Sequence, residues 1–183
     1  MTVYIALLRG INVGGHNKIS MANLRILFAE LGFGEVTTYI QSGNIVFKDE
    51  VKEVFSIEKI VKQAISKKFS LNVEVVVKTL EELLKIIDVT PFKESPTEKG
   101  KVFITIFSKK PTEDLIKRLK KVNGEGDEIV VKDMTAYILC KKGYSETVYS
   151  NNFLERTLKV KATTRNFQTI KKLADIGASS IRF

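Results

Sequence analysis

Three short polar segments carry the side chains best suited to hold a ligand: Arg9-Gly10-Ile11-Asn12-Val13-Gly14-Gly15, Gln41-Ser42-Gly43-Asn44 and Thr163-Thr164-Arg165-Asn166. Each follows an apolar run and combines amide or hydroxyl groups with at most one arginine. In the first, Gly14 and Gly15 can turn backbone N–H groups toward an anion, and Arg9 can pair bidentately with a phosphate or carboxylate. Asn12, Gln41, Ser42 and Asn44 would orient such a ligand, while Arg165 and Asn166 would add a second cation and a further polar group. The spacing matches neither the Walker nor the dinucleotide-binding glycine pattern. Each segment also has a plainer role: a connection needing positive φ, a hairpin turn, and a strand end followed by a helix cap from Asn166 or Thr164.

Catalytic sets are sparse. Glu30 and Glu35 are the nearest acids, placed at the end of a helix rather than in the loop, so neither a carboxylate pair nor a carboxylate-held magnesium ion is specified. His16 would activate Ser42 only from hydrogen-bond distance, and a lone loop histidine is ordinarily a solvated polar group. Cys140 is the sole cysteine and His16 the sole histidine, which leaves no internal disulfide and no Cys/His zinc site. No metal and no cofactor is expected. The residues describe a place to bind rather than a reaction.

The elements that position these segments follow from apolar spacing. Val3 to Leu8 reads as a buried strand, and Met21, Leu24, Leu27, Phe28 and Leu31 fall on one face of a helix stopped by Gly32. Val36 to Ile40 and Ile45 to Phe47 form a hairpin about Ser42-Gly43, Phe55 to Phe69 an amphipathic helix, Val73 to Val77 a strand, and Leu80 to Ile87 a helix. Thr90 to Gly100 holds two of the three prolines and reads as a linker. The order then recurs: strand Val102 to Phe107, helix Pro111 to Leu119, hairpin Glu128 to Val131 with Ala136 to Cys140, helix Asn151 to Leu158, strand Val160 to Thr164, and helix Asn166 to Ile176 ended by Gly177. Val73, Lys78, Leu80, Leu83 and Ile86 superpose on Val160, Arg165, Phe167, Ile170 and Leu173 at one constant offset.

The expected fold is therefore α+β, a tandem duplication of two ferredoxin-like repeats, each βαββαβ plus an appended helix, packed as one body. The repeats would span 1–90 and 101–183, joined by a linker at 91–100. Right-handed crossovers set the first and third strands side by side and antiparallel, which brings Arg9 next to Gln41, Ser42 and Asn44.

The 183 residues are 44% hydrophobic and 28% charged, as in a folded globular chain. No run is long and apolar enough to span a membrane and no leader pattern opens the chain, so a cytoplasmic protein without a membrane partner is expected. The net charge of +9 favours anionic partners, either a small anionic ligand or nucleic acid. A basic patch is expected near the C-terminus, where Lys161, Arg165, Lys171, Lys172 and Arg182 face only Asp175. RNA-recognition modules on ferredoxin-like sheets need an exposed aromatic platform. Here the central strands are apolar on both alternating faces, the pattern of strands covered on both sides.

The phrases Leu7 to Gly15, Thr38 to Asn44 and Ala162 to Asn166 together closely resemble a bacterial family, domain of unknown function 1697. The likeness runs over nearly the whole chain, with Phe167 where the family often has tryptophan. The resemblance implies a cytosolic protein with two similar α/β halves, and it brings no activity, substrate or catalytic residue.

Overall fold

The computed structural model describes residues 1–50, 53–92 and 100–181. The chain is α+β, with two four-stranded antiparallel sheets and six helices among the described residues. The first half runs β1 (Thr2–Leu8), α1 (Met21–Glu30), β2 (Gly34–Tyr39), β3 (Asn44–Asp49), α2 (Val54–Phe69), β4 (Val75–Thr79) and α3 (Leu80–Asp88). The second runs β5 (Lys101–Phe107), α4 (Glu113–Leu119), β6 (Glu128–Lys132), β7 (Thr135–Cys140), α5 (Asn151–Leu158), β8 (Ala162–Asn166) and α6 (Phe167–Ser180). The sheet orders are β2-β3-β1-β4 and β6-β7-β5-β8, so the first and third strands of each half pair antiparallel at the centre.

Two compact units result: Met1–Lys85 with Lys171–Phe183, and Ile86–Ile170. The linker expected at 91–100 lies mainly outside the described residues, as does Arg182 of the expected basic patch. No described helix is long and apolar enough to cross a membrane.

In the first unit, Tyr4, Ala6 and Leu8 of β1 and Phe47 of β3 pack against Leu24 and Phe28 of α1 and Ile57, Val61 and Ile65 of α2. Phe47 is the hub of an aromatic cluster, with its ring centroid 5.7 Å from Tyr4, 5.2 Å from Phe28 and 4.6 Å from Phe33. Phe33 reaches this cluster because Gly32, at φ +86°, turns the chain back at the end of α1. Val3, Ile5 and Leu7 are buried too, so β1 is covered on both faces. Helix α3 begins with a reciprocal cap: Glu82 Oε2 accepts from the Thr79 N–H (2.9 Å) and Thr79 Oγ1 from the Glu82 N–H (3.1 Å).

Helix α6 runs through Gly177 instead of ending there. The glycine is needed for close approach rather than termination: a Cβ at 177 would lie 3.1 Å from Leu80 Cδ1 and 3.3 Å from Val3 Cγ1. The second unit has its own core, in which Phe107, Ala136, Ile138 and Cys140 pack against Leu119, Leu154 and Leu158. Burial pushes the Cys140 thiol up to about 11, so it serves as a small core residue and not as a nucleophile.

Candidate functional site

The loop from β1 to α1 is an unusual piece of backbone. Gly10, Asn12, Gly14, Gly15 and Asn17 all adopt positive φ, and the loop is closed by side-chain amides. Asn17 Nδ2 donates to the Gly10 carbonyl (3.0 Å) and the Asn12 N–H to the Asn17 carbonyl (3.2 Å). Asn12 does the most. Its Nδ2 donates to the carbonyls of Ile19 (2.8 Å) and Gln41 (2.8 Å), and its Oδ1 accepts from the Ile19 N–H (2.9 Å).

That bond to Gln41 fastens the first polar segment to the second. A further contact lies below it, where the buried Ile11 side chain sits against the bare Cα of Gly43, whose carbonyl accepts from the Leu8 N–H (2.8 Å). The second segment forms the hairpin turn expected around Ser42-Gly43, shifted by one residue toward the N-terminus. Tyr39 pairs with Asn44, which makes Ile40 to Gly43 a four-residue loop with Ile40 at φ +46° and Gly43 at +78°. Ile40 therefore belongs to the turn and not to β2, and a β-branched residue in that region is strained. Asn44 holds the turn from beneath: it is fully buried, and its Nδ2 donates to the Tyr39 carbonyl (3.0 Å) and to Ser42 Oγ (2.9 Å).

Topology thus brings the first two segments together at one end of the first sheet. Arg9 is half-buried there, and its N–H donates to the Glu74 carbonyl (2.9 Å). Asn12, Gly15 and Gln41 line an open concavity of about 380 Å³ together with Lys18, Ile19 and Ser20. Ser20 is the N-cap of α1, its Oγ accepting from the Asn23 N–H (3.1 Å), so the concavity opens at a helix N-terminus. Lys18 and Ser20 were missed in the sequence reading. The signal for Ser20 was present, a serine directly before the first apolar residue of a helical pattern; an exposed loop lysine such as Lys18 carries none.

Arg165 and Asn166 belong to the second unit. The third segment lies in strand β8, which runs two residues past the end expected at Thr164, because Thr163 to Asn166 pair with Ile106 to Phe103 of β5. Thr164 Oγ1 is held between Thr105 Oγ1 (2.7 Å) and Asn151 Oδ1 (3.0 Å). Asn166 Oδ1 accepts from the Gln168 N–H (2.8 Å) at the start of α6, which is the capping role expected of it. Arg165 donates to Thr163 Oγ1 (3.0 Å) and the Thr164 carbonyl (2.9 Å). The residue is half-buried with its guanidinium the more sheltered end, and burial pulls its pKa down to about 10, still protonated at neutral pH.

Ser42 Oγ is engaged by Asn44, and His16 is exposed in the loop with its N–H bonded to the Val13 carbonyl (3.0 Å). Among the described residues no group of three or more His, Cys, Asp and Glu could hold a metal ion.

Fold and loop together define an α+β protein with, among the described residues, two four-stranded antiparallel sheets and a glycine-rich strand-to-helix loop. The chain belongs to the family described as "Protein of unknown function (DUF1697)", matched over residues 1–137, a span that stops short of the third polar segment. The solved structure of conserved bacterial protein SP0830 from Streptococcus pneumoniae is similar, with a TM-score of 0.75 and 22% identity over 95% of this chain and 97% of that one. At that identity the likeness concerns the fold. No curated protein matches the sequence.

Proposed function

We propose that this is a cytoplasmic protein whose glycine-rich loop binds a small anionic, phosphate-bearing ligand. The observation that carries the reading is the convergence around one concavity of Gly15, Lys18 and the capped N-terminus of the ten-residue helix α1, with Gln41 on the facing loop. Free N–H groups and the helix dipole favour an anion at that position, and Lys18 supplies a full charge. Asn12 and Asn44 act through the shape of the rim, since their amides are occupied by backbone and Ser42 partners. Arg9, Gly14 and Ser42 belong to the same pair of loops. Arg165 and Asn166, in the other unit, are left out of this site.

Two halves with the same element order and the same strand order support a duplicated ferredoxin-like repeat, at 1–90 and 101–183. The register agrees: Leu8 pairs with Val75 and Phe107 with Ala162, the offset seen in the sequence between the two last strands.

A structural reading of the loops is the alternative, and the Asn12 and Asn44 bonds favour it. A nucleic-acid-binding reading is supported by the net charge of +9, but β1 and β7 are buried along both faces and offer no stacking platform. Thermal-shift measurements on the natural protein and Lys18→Glu, against phosphate, sulfate, nucleotides and sugar phosphates, separate these. A small-molecule shift that Lys18→Glu diminishes, with unliganded melting unchanged, is expected. No shift with any anion would leave the loops as scaffolding.

A further inference from the structure

The second unit carries a feature that the glycine-loop reading does not use. An open concavity of about 600 Å³ lies where the end of β5, the last turn of α5 and the start of β8 meet. Lys109, Arg156, Lys159 and Lys161 line it, with the buried Val160 and a single acid, Glu155. All four cations are exposed, and among the described residues none of them makes an ion pair. Glu155 Oε1 accepts from the Ala162 N–H (2.8 Å).

The first unit shows what this place holds when it is charge-paired. There the Arg9 N–H donates to the Glu74 carbonyl (2.9 Å), and here the Ser108 N–H donates to the Lys161 carbonyl (2.8 Å), so Glu74 and Lys161 occupy the same register position. Glu74 forms an ion pair with Lys62 (2.9 Å). Its counterpart is a lysine, and three further cations surround it. A cation in the last turn of a helix is favoured by the helix dipole, which accounts for Arg156. It does not account for Lys109 or Lys161, which lie beside strand ends. Four like charges around one concavity repel until an anion joins them, and the volume falls within the range of small-ligand sites.

We propose that this concavity binds the polyphosphate portion of a small ligand, with Lys109, Arg156, Lys159 and Lys161 as its cationic donors. The site shares no lining residue with the glycine-loop concavity, so the decisive titrations use Lys18→Glu, in which the charge lining that concavity is reversed. Isothermal titration with tripolyphosphate at low salt is expected to give binding in Lys18→Glu, and affinity lower by about tenfold or more when Lys109→Ala and Lys161→Ala are added. Arg156→Gln provides a second, single-site variant, with circular dichroism confirming that each variant is folded. Equal affinity with and without these substitutions overturns the proposal, as does an absence of binding. A single-stranded oligonucleotide that binds and is not displaced by tripolyphosphate also overturns it, in favour of a nucleic-acid surface. Loss of tripolyphosphate binding in Lys18→Glu alone would instead assign the anion to the glycine loop.

Discussion

An alanine at position 43 would have to place its Cβ 2.7 Å from Ile11 Cδ1 and 2.8 Å from Leu8 Cβ, in a residue whose φ is +78°. The left-handed backbone costs about 1–2 kcal/mol for a non-glycine residue and the overpacking about 1–3 kcal/mol, so Gly43→Ala is expected to destabilise the fold by about 2–5 kcal/mol. Chemical denaturation checks this, and a change below about 1 kcal/mol would mean that the loop relaxes away from Ile11. The glycine of Gln41-Ser42-Gly43-Asn44 is thus dictated by packing, whereas the asparagines of both loops are dictated by backbone groups needing partners. That distinction was out of reach of the sequence. Arg9, Gln41, Ser42 and Asn44 could be placed near one another by strand order alone, yet whether an amide faces a ligand or a carbonyl depends on loop torsions that no local pattern encodes. Lys18 escaped for a related reason, since only the path of the loop carries it to the mouth of the concavity.

At the scale of elements, the edge strands β4 and β8 are each guarded by a glutamate from the helix before them. Glu58 of α2 accepts from the Val77 N–H (2.9 Å) and Glu155 of α5 from the Ala162 N–H (2.8 Å). Occupying an edge N–H removes a docking point for another strand. Glu58 pays for this position through desolvation, which raises its pKa above 4.5 despite the Val77 bond and the charge of Lys78. A carboxyl that holds its proton more tightly in the folded state weakens folding once ionised. The penalty is absent below the unfolded value and sets in as pH rises through the folded one. Glu58→Gln keeps an acceptor for Val77 without the charge, so its melting temperature should exceed that of the natural protein at about pH 7 and converge with it at about pH 4. A variant melting well below the natural protein at neutral pH would show that the charged bond outweighs its desolvation. The elements themselves were largely legible, because periodicity and caps are local: α5 has the expected ends, Asn151–Leu158, and Gly32 terminates α1 with Phe33 packed behind it. Failures came where a tertiary contact overrode a local signal. Gly177 resembles a stop but is a contact surface for Val3 and Leu80, and Arg165 and Asn166 read as lying beyond the last strand but are drawn into β8 by pairing with β5.

At the scale of the whole molecule, the first unit is built from two pieces of chain, Met1–Lys85 and Lys171–Phe183. Gly177 marks the join, lying against Val3 at one end of the sequence and Leu80 in its middle. A valine there meets both side chains at once, so Gly177→Val is expected to lower protection of the β1 amides in hydrogen exchange more than that of β7. Equal loss in both strands, or none, would contradict a first unit completed by the last helix. The same arrangement sets a timetable for synthesis. The contacts inside Ile86–Ile170 are all available to a chain emerging from the ribosome once that stretch is out, whereas Val3 and Leu80, although made earlier, gain their Gly177 neighbour only after the end of α6 has left the exit tunnel.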